Sequence, residues 1–179
     1  MLRQKVPTHA VFVYGTLKRG FYNFDAVMAP FGAGAAFQAL ARTEARFPLF
    51  VDHYRVPYLV NRPGTGHQIT GELFSVDDEC LAALDVLEGV ASGRYERRSI
   101  QVEVVSGDDA TSPDEPLQRA DAWFYAIRDV PEIQLDRRGP QGRQLLAEYS
   151  AEVHSRYVPK AGRDESLRRA WGGYDASAL

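Results

Sequence analysis

Ala10 to Val13 is a short apolar run rich in β-formers that breaks abruptly at Tyr14-Gly15-Thr16. That pattern predicts a buried strand delivering a loop. Phe37 to Arg46, Tyr58 to Asn61, Gln68 to Ser75, Ser99 to Val105 and Ala120 to Ile127 predict further strands, separated by Pro and Gly signals such as Arg62-Pro63-Gly64. Asn23 to Ala29 predicts a short helix stopped at Pro30. The clearest helical signal runs from Asp77 to Leu87 or Glu88, with Asp77 or Ser75 as cap, acids in its first turn and Gly89 ending it. On a helical wheel, Cys80, Leu81, Leu84 and Leu87 share one apolar arc. A second helix is predicted at Arg143 to Arg156, where Leu145 or Leu146, Tyr149 and Val153 recur at helical spacing.

Ser106 to Pro116 holds four acids and no apolar side chain larger than alanine, so a mobile loop is expected between the last two strands. Beyond Lys160 the chain turns polar and glycine-containing, as a partly disordered tail would. The expected organisation is one domain over residues 1–179, with the loop at 106–116 and a C-terminal helix plus tail at 141–179.

Composition narrows the function classes. The 179 residues are 45% apolar and 25% charged, which suits a single soluble domain able to hold a core without staples. A net charge of -3 disfavours nucleic acid as a partner. The basic pairs Lys18-Arg19, Arg97-Arg98, Arg137-Arg138 and Arg168-Arg169 are scattered and read as solvated surface. Cys80 stands alone, and His9, His53, His67 and His154 lie far apart, so neither a disulfide framework nor a local metal motif is expected. Ala26 to Phe37, the longest stretch free of strongly polar side chains, is broken by Pro30, Gly32 and Gly34 and is shorter than the ~20 residues of a spanning helix. Val11 to Val13 is too brief for a secretory apolar region, which makes a cytoplasmic location the expectation.

Two features carry candidate chemistry. Glu88 lies at i+4 from Leu84 and i+7 from Leu81, on the side of the buried stripe. Burial disfavours the ionised carboxylate and raises its pKa, as general acid-base work near neutrality requires. The plainer alternative has Glu88 in a frayed last turn, swung into water or paired with Arg94, Arg97 or Arg98. The second feature is the turn Tyr14-Gly15-Thr16-Leu17-Lys18-Arg19-Gly20, whose backbone N–H groups are suited to hold a carboxylate or a developing oxyanion. Its Gly15-to-Gly20 spacing imitates a phosphate-binding loop, but Phe21-Tyr22 stands where Lys and Ser/Thr are needed. Cys80, inside the apolar arc, reads as a core residue.

Val11-Phe12-Val13-Tyr14-Gly15-Thr16-Leu17-Lys18-Arg19-Gly20, Leu84-Asp85-Val86-Leu87-Glu88-Gly89 and Tyr95-Glu96-Arg97-Arg98 together resemble the γ-glutamylcyclotransferase superfamily, the AIG2-like group. Phe47-Pro48-Leu49, Val56-Pro57-Tyr58, Pro63-Gly64-Thr65-Gly66 and Gly71 to Asp77 resemble its γ-glutamylamine cyclotransferase branch, over about residues 10 to 127. The resemblance implies an α+β fold, a small mixed β-barrel-like sheet with short helices. It implies Glu88 as general acid-base, with Tyr14, Gly15, Thr16 and Leu17 holding a γ-glutamyl group, and no metal or cofactor. Tyr95 and Tyr125 stand where the family has tyrosines, either lining the pocket or simply packing. The implied substrate is a small γ-glutamyl amine such as γ-glutamyl-ε-lysine, converted to 5-oxoproline and free amine. Other γ-glutamyl peptides, or a non-catalytic binding module of the same fold, are the alternatives. Glu44, Asp52 and Glu72 are the acids considered for a lysine-like ammonium.

Overall fold

Alternation along Val11-Phe12-Val13 sends successive side chains into two different cores, and the rest of the barrel repeats the device. The computed structural model describes residues 8–107, 118–128 and 144–164. Its strands are β1 (Thr8–Val13), β2 (Ala35–Phe47), β3 (Leu49–Val51), β4 (Pro57–Leu59), β5 (His67–Asp77), β6 (Glu96–Gly107) and β7 (Arg119–Ala126). The sheet order β1-β5-β2-β6-β7 closes into a barrel, while β3 and β4 form a separate antiparallel pair. Neighbours in the barrel are antiparallel except at the closing seam, where Val11 pairs with Trp123 in parallel. Register shifts at Phe37/Ala39 and Arg42/Arg46 curl the long β2 so that it serves both β5 and β6.

Phe12, Ala41, Ile69, Leu73, Val102 and Phe124 come from all five barrel strands and form one buried cluster, the lumen. Val11, Val13, Phe74, Val76 and Tyr125 project the other way and meet Cys80, Leu81 and Leu84 of α1 (Asp78–Glu88). The expected arc on this helix is the face that is buried, with Leu87 partly covered and Val86 exposed on the opposite side. Asp77 caps the helix, accepting from the Cys80 N–H at 2.8 Å. Gly89, at φ 66, ends it in the left-handed region.

All six predicted strands appear within a few residues of their expected bounds. β3 was not expected; at three residues it is too short to show a period. Asn23 to Ala29 forms a π turn at Phe24–Met28 and continues past Pro30 as a 3-10 segment, Ala29–Gly34.

The helix expected at Arg143 to Arg156 is corrected: α2 spans only Ala151–His154. The preceding residues are extended because β3 and the barrel strand β5 take their backbone groups. The Leu146 N–H donates to Leu49 O at 2.8 Å, and Ala147 O accepts from the Thr70 N–H at 2.9 Å. The apolar residues there serve two cores, Leu145 in one and Leu146 and Tyr149 in the other, which mimics helical spacing. Lys18 is also not solvated surface. It is buried, donating to Glu148 at 2.8 Å and to Tyr149 O at 3.0 Å. The expected loop at 106–116 begins as the end of β6 and otherwise lies outside the described residues. In the expected tail, Lys160–Gly162 is a 3-10 turn, and residues 165–179 lie outside the described set.

Candidate active site

β1 ends at Val13, and the next four residues turn away from the barrel seam onto the floor of a cavity of about 800 Å³. Tyr14, Gly15, Thr16 and Leu17 all line it, as do Glu88, Tyr95 and Tyr125. The structure thus brings the loop, Glu88 and both tyrosines to one cavity. The loop is held from behind: Thr16 Oγ1 accepts from Asn23 Nδ2 at 2.7 Å, and Thr16 O accepts from the Asn23 N–H at 3.0 Å. The Lys18 N–H donates back to Gly15 O at 3.1 Å. The Gly15, Thr16 and Leu17 N–H groups have no protein acceptor among the described residues, so they remain available to an anionic oxygen. Gly15 is required by contact: a Cβ there would stand 2.7 Å from Pro57 Cγ.

Glu88 occupies the last residue of α1 and is partly buried. The crowded wall around its carboxylate desolvates it and raises its pKa to about 7, with Arg94 pulling in the opposite direction. Among the described residues no ion pair or hydrogen bond reaches that carboxylate. None of the arginines considered as partners forms an ion pair with it. Arg97 pairs with Asp85 at 2.7 Å, Arg98 with Glu96 at 2.9 Å, and Arg94 donates to Leu87 O at 3.5 Å. Asp85 also accepts from the Tyr125 hydroxyl at 2.7 Å, so the turn preceding Glu88 is tied to both β6 and β7.

Burial, with the Glu88 charge adding to it, raises the Tyr14 phenol well above its usual range. Tyr95 is raised first by burial, then by Tyr14, Tyr58 and Glu88. Both stay protonated at neutrality, and their protons are committed: Tyr14 donates to Tyr125 O at 2.7 Å and Tyr95 to Pro57 O at 3.2 Å. These rings therefore shape the cavity, Tyr14 fixing the loop against β7 and Tyr95 fixing its own segment against β4. Among the described residues, no group of three or more His, Cys, Asp or Glu side chains is arranged to hold a metal.

Glu44, Asp52 and Glu72 do not line the cavity. Glu44 pairs with Arg119 at 3.3 Å and Glu72 with Arg19 at 3.2 Å, while Asp52 accepts from the Val56 N–H at 2.9 Å. Sequence reasoning missed the far wall, which is built by Tyr157, Lys160, Ala161 and Arg163 together with Tyr22 and Asn23. No periodic signal marks that wall, because it consists of turns and extended chain.

Residues 11–146 match the family described as Gamma-glutamyl cyclotransferase, AIG2-like. A protein of Arabidopsis thaliana with a provisional gamma-glutamylcyclotransferase name is 35% identical over 168 residues, covering 89% of this chain and 87% of its own length. The gamma-glutamylaminecyclotransferase of Rattus norvegicus is 37% identical over 109 residues, 60% of this chain and 72% of that protein. The crystal structure of an AIG2-like protein from Mus musculus superposes with a TM-score of 0.69 at 31% identity, covering 87% of this chain and 99% of that one.

Proposed function

Because the chain belongs to the gamma-glutamyl cyclotransferase, AIG2-like family, we propose that it closes γ-glutamyl amines, γ-glutamyl-ε-lysine among them, to 5-oxoproline and releases the amine. The observation that carries this reading is the convergence of a desolvated Glu88 and the open N–H groups of the 15–17 loop on one cavity.

The reaction is an intramolecular aminolysis. The substrate's α-amine attacks its own γ-carbonyl carbon, the new C–N bond closes a five-membered lactam, and the original amide C–N bond breaks. An α-amine is substantially protonated near neutrality, so its proton must be removed before or during attack. Glu88, with a pKa of about 7, takes that proton as the carboxylate and returns it as the acid to the departing nitrogen. The ammonium gives up two protons on becoming the lactam N–H: one reaches the departing nitrogen through Glu88, and the other ends on the released amine, which leaves as an ammonium, so no water is consumed. Arg94 keeps the carboxylate from being held fully protonated. The Gly15 to Leu17 N–H groups stabilise the tetrahedral oxygen, a role typically worth roughly 3–4 kcal/mol per donor. The cavity walls fold the γ-glutamyl chain into its ring-closing conformer, so proximity supplies much of the rest.

Purified protein is incubated in parallel with γ-glutamyl-ε-lysine, a γ-glutamyl dipeptide and glutathione, and 5-oxoproline and released amine are measured by mass spectrometry. Product from the lysine conjugate supports the amine reading. Product only from another substrate keeps the chemistry and refutes the proposed leaving group. No 5-oxoproline from any of the three refutes the reading and leaves a binding module.

A further inference from the structure

The chain that closes the cavity is a strap, stitched down along its length. Leu146 is bonded to β3 and Ala147 to the barrel strand β5, and the His154 ring stacks on Phe21 at 4.2 Å while its Nε2 accepts from the Tyr22 N–H at 3.1 Å. Beyond α2, the Val158 N–H donates to Tyr54 O at 3.0 Å and the Asp164 N–H donates to the Tyr54 hydroxyl oxygen at 2.7 Å. Residues between these anchors form a fixed wall, and Lys160 and Arg163 lie on it.

The charge on that wall is one-sided. Lys160 is exposed at the cavity and, among the described residues, its ammonium forms no ion pair or hydrogen bond. Arg163 donates through Nε to Val158 O at 2.8 Å and through Nη2 to the Tyr157 hydroxyl at 3.0 Å, which leaves further guanidinium donors open. Asp52 lies near enough to Arg163 to offset part of its charge, so Lys160 is the less compensated of the two. Arg94 adds a third cation to the lining, where Glu88 is the only acid among the described residues. A leaving amine that brings an additional positive charge is repelled by this wall, whereas one that carries a carboxylate finds a counterion.

We propose that Lys160, with Arg163 beside it, is the recognition site for a carboxylate borne by the leaving amine. The inference rests on the cyclotransferase reading and adds to it the chemical class of the departing group, an amino acid in preference to a diamine. A lysine released through its side-chain nitrogen keeps its α-carboxylate. The matched diamine conjugate, γ-glutamylcadaverine, differs from it by that carboxylate alone.

The test measures kcat/KM for γ-glutamyl-ε-lysine and for γ-glutamylcadaverine with the wild type, Lys160→Met and Lys160→Glu. The wild type is expected to prefer the lysine conjugate by about tenfold or more, the worth of a charge-assisted contact at a partly screened site. Lys160→Met narrows that ratio about five- to tenfold with the change falling on KM, because a contact present in both ground and transition states is lost. Lys160→Glu narrows it further or reverses it, and the wild-type preference shrinks as salt rises. Product from both conjugates with the same ratio in all three proteins overturns the inference and leaves the cyclotransferase reading standing. No product from either overturns the inference together with the γ-glutamyl amine reading, and 5-oxoproline from the γ-glutamyl dipeptide or glutathione then keeps the cyclotransferase chemistry.

Discussion

Replacing Gly15 by alanine places a methyl carbon where the chain has no room. The new Cβ would stand 2.7 Å from Pro57 Cγ and 3.4 Å from Pro57 Cβ. Non-bonded carbons settle at about 3.5–4.0 Å, so the loop must retreat from β4 by on the order of 1 Å. Overpacking of this size costs about 1–3 kcal/mol, which lowers the melting temperature by roughly 2–10 °C in a chain of this length. The same retreat carries the Gly15, Thr16 and Leu17 N–H groups away from the position set relative to Glu88, and a 1 Å misplacement of reacting groups is worth about a hundredfold in turnover. Thermal melts and steady-state 5-oxoproline release measure the two effects on one preparation. Pro57→Ala removes the clashing Cγ, so Gly15→Ala is expected to recover stability and most of its turnover in the double variant. If Gly15→Ala melts and turns over like the wild type, or if Pro57→Ala fails to rescue it, the close approach of loop and β4 is not what positions the site.

Glu88 makes the protein less stable at high pH. Its native pKa of about 7 lies above the 4.5 of an unperturbed glutamate, so between these values the folded state binds more protons and stability falls as pH rises. Glu88→Gln is therefore expected to match the wild type in denaturant melts near pH 4 and to exceed it near pH 8 by on the order of 1–3 kcal/mol, the lower end allowing for screening of a partly exposed group; equal differences at both pH values would contradict the raised pKa. Arg94→Leu removes the cation that favours the Glu88 carboxylate, and the acid limb of the kcat/KM profile should move upward from near pH 7; an unmoved limb would mean another group sets it. Asp85→Asn weakens the ties to Arg97 and Tyr125 at 2.7 Å each and should cost about 1–3 kcal/mol together with a fall in turnover, whereas a fall in stability alone would show that the helix end does not position Glu88.

The elements that position the chemistry were legible because each carried its own local signal. Asp77, the Cys80-Leu81-Leu84 arc and Gly89 mark α1 and place Glu88 beside the buried face. The break after Val13 marks the loop. Barrel closure was legible only through the family resemblance, since the parallel seam between β1 and β7 joins residues 112 positions apart in the pairing Val11 to Trp123. The strap was misread because Leu145, Tyr149 and Val153 keep a spacing that a helix and an extended rim segment both satisfy, and only the acceptors at Leu49 and the donor at Thr70 decide between them. Lys18 looked solvated for the same reason: its partners, Glu148 and Tyr149 O, arrive from the far end of the chain.

In the proposed ring closure it is Glu88 that moves the proton. The most direct test is the turnover of γ-glutamyl-ε-lysine by Glu88→Gln, measured as 5-oxoproline per enzyme, alongside substrate binding by calorimetry. The expected result is a loss of about 10²–10⁴-fold in turnover with binding retained, as when a general acid-base is replaced by a near-isosteric amide. Wild-type turnover in the Glu88→Gln protein would contradict it.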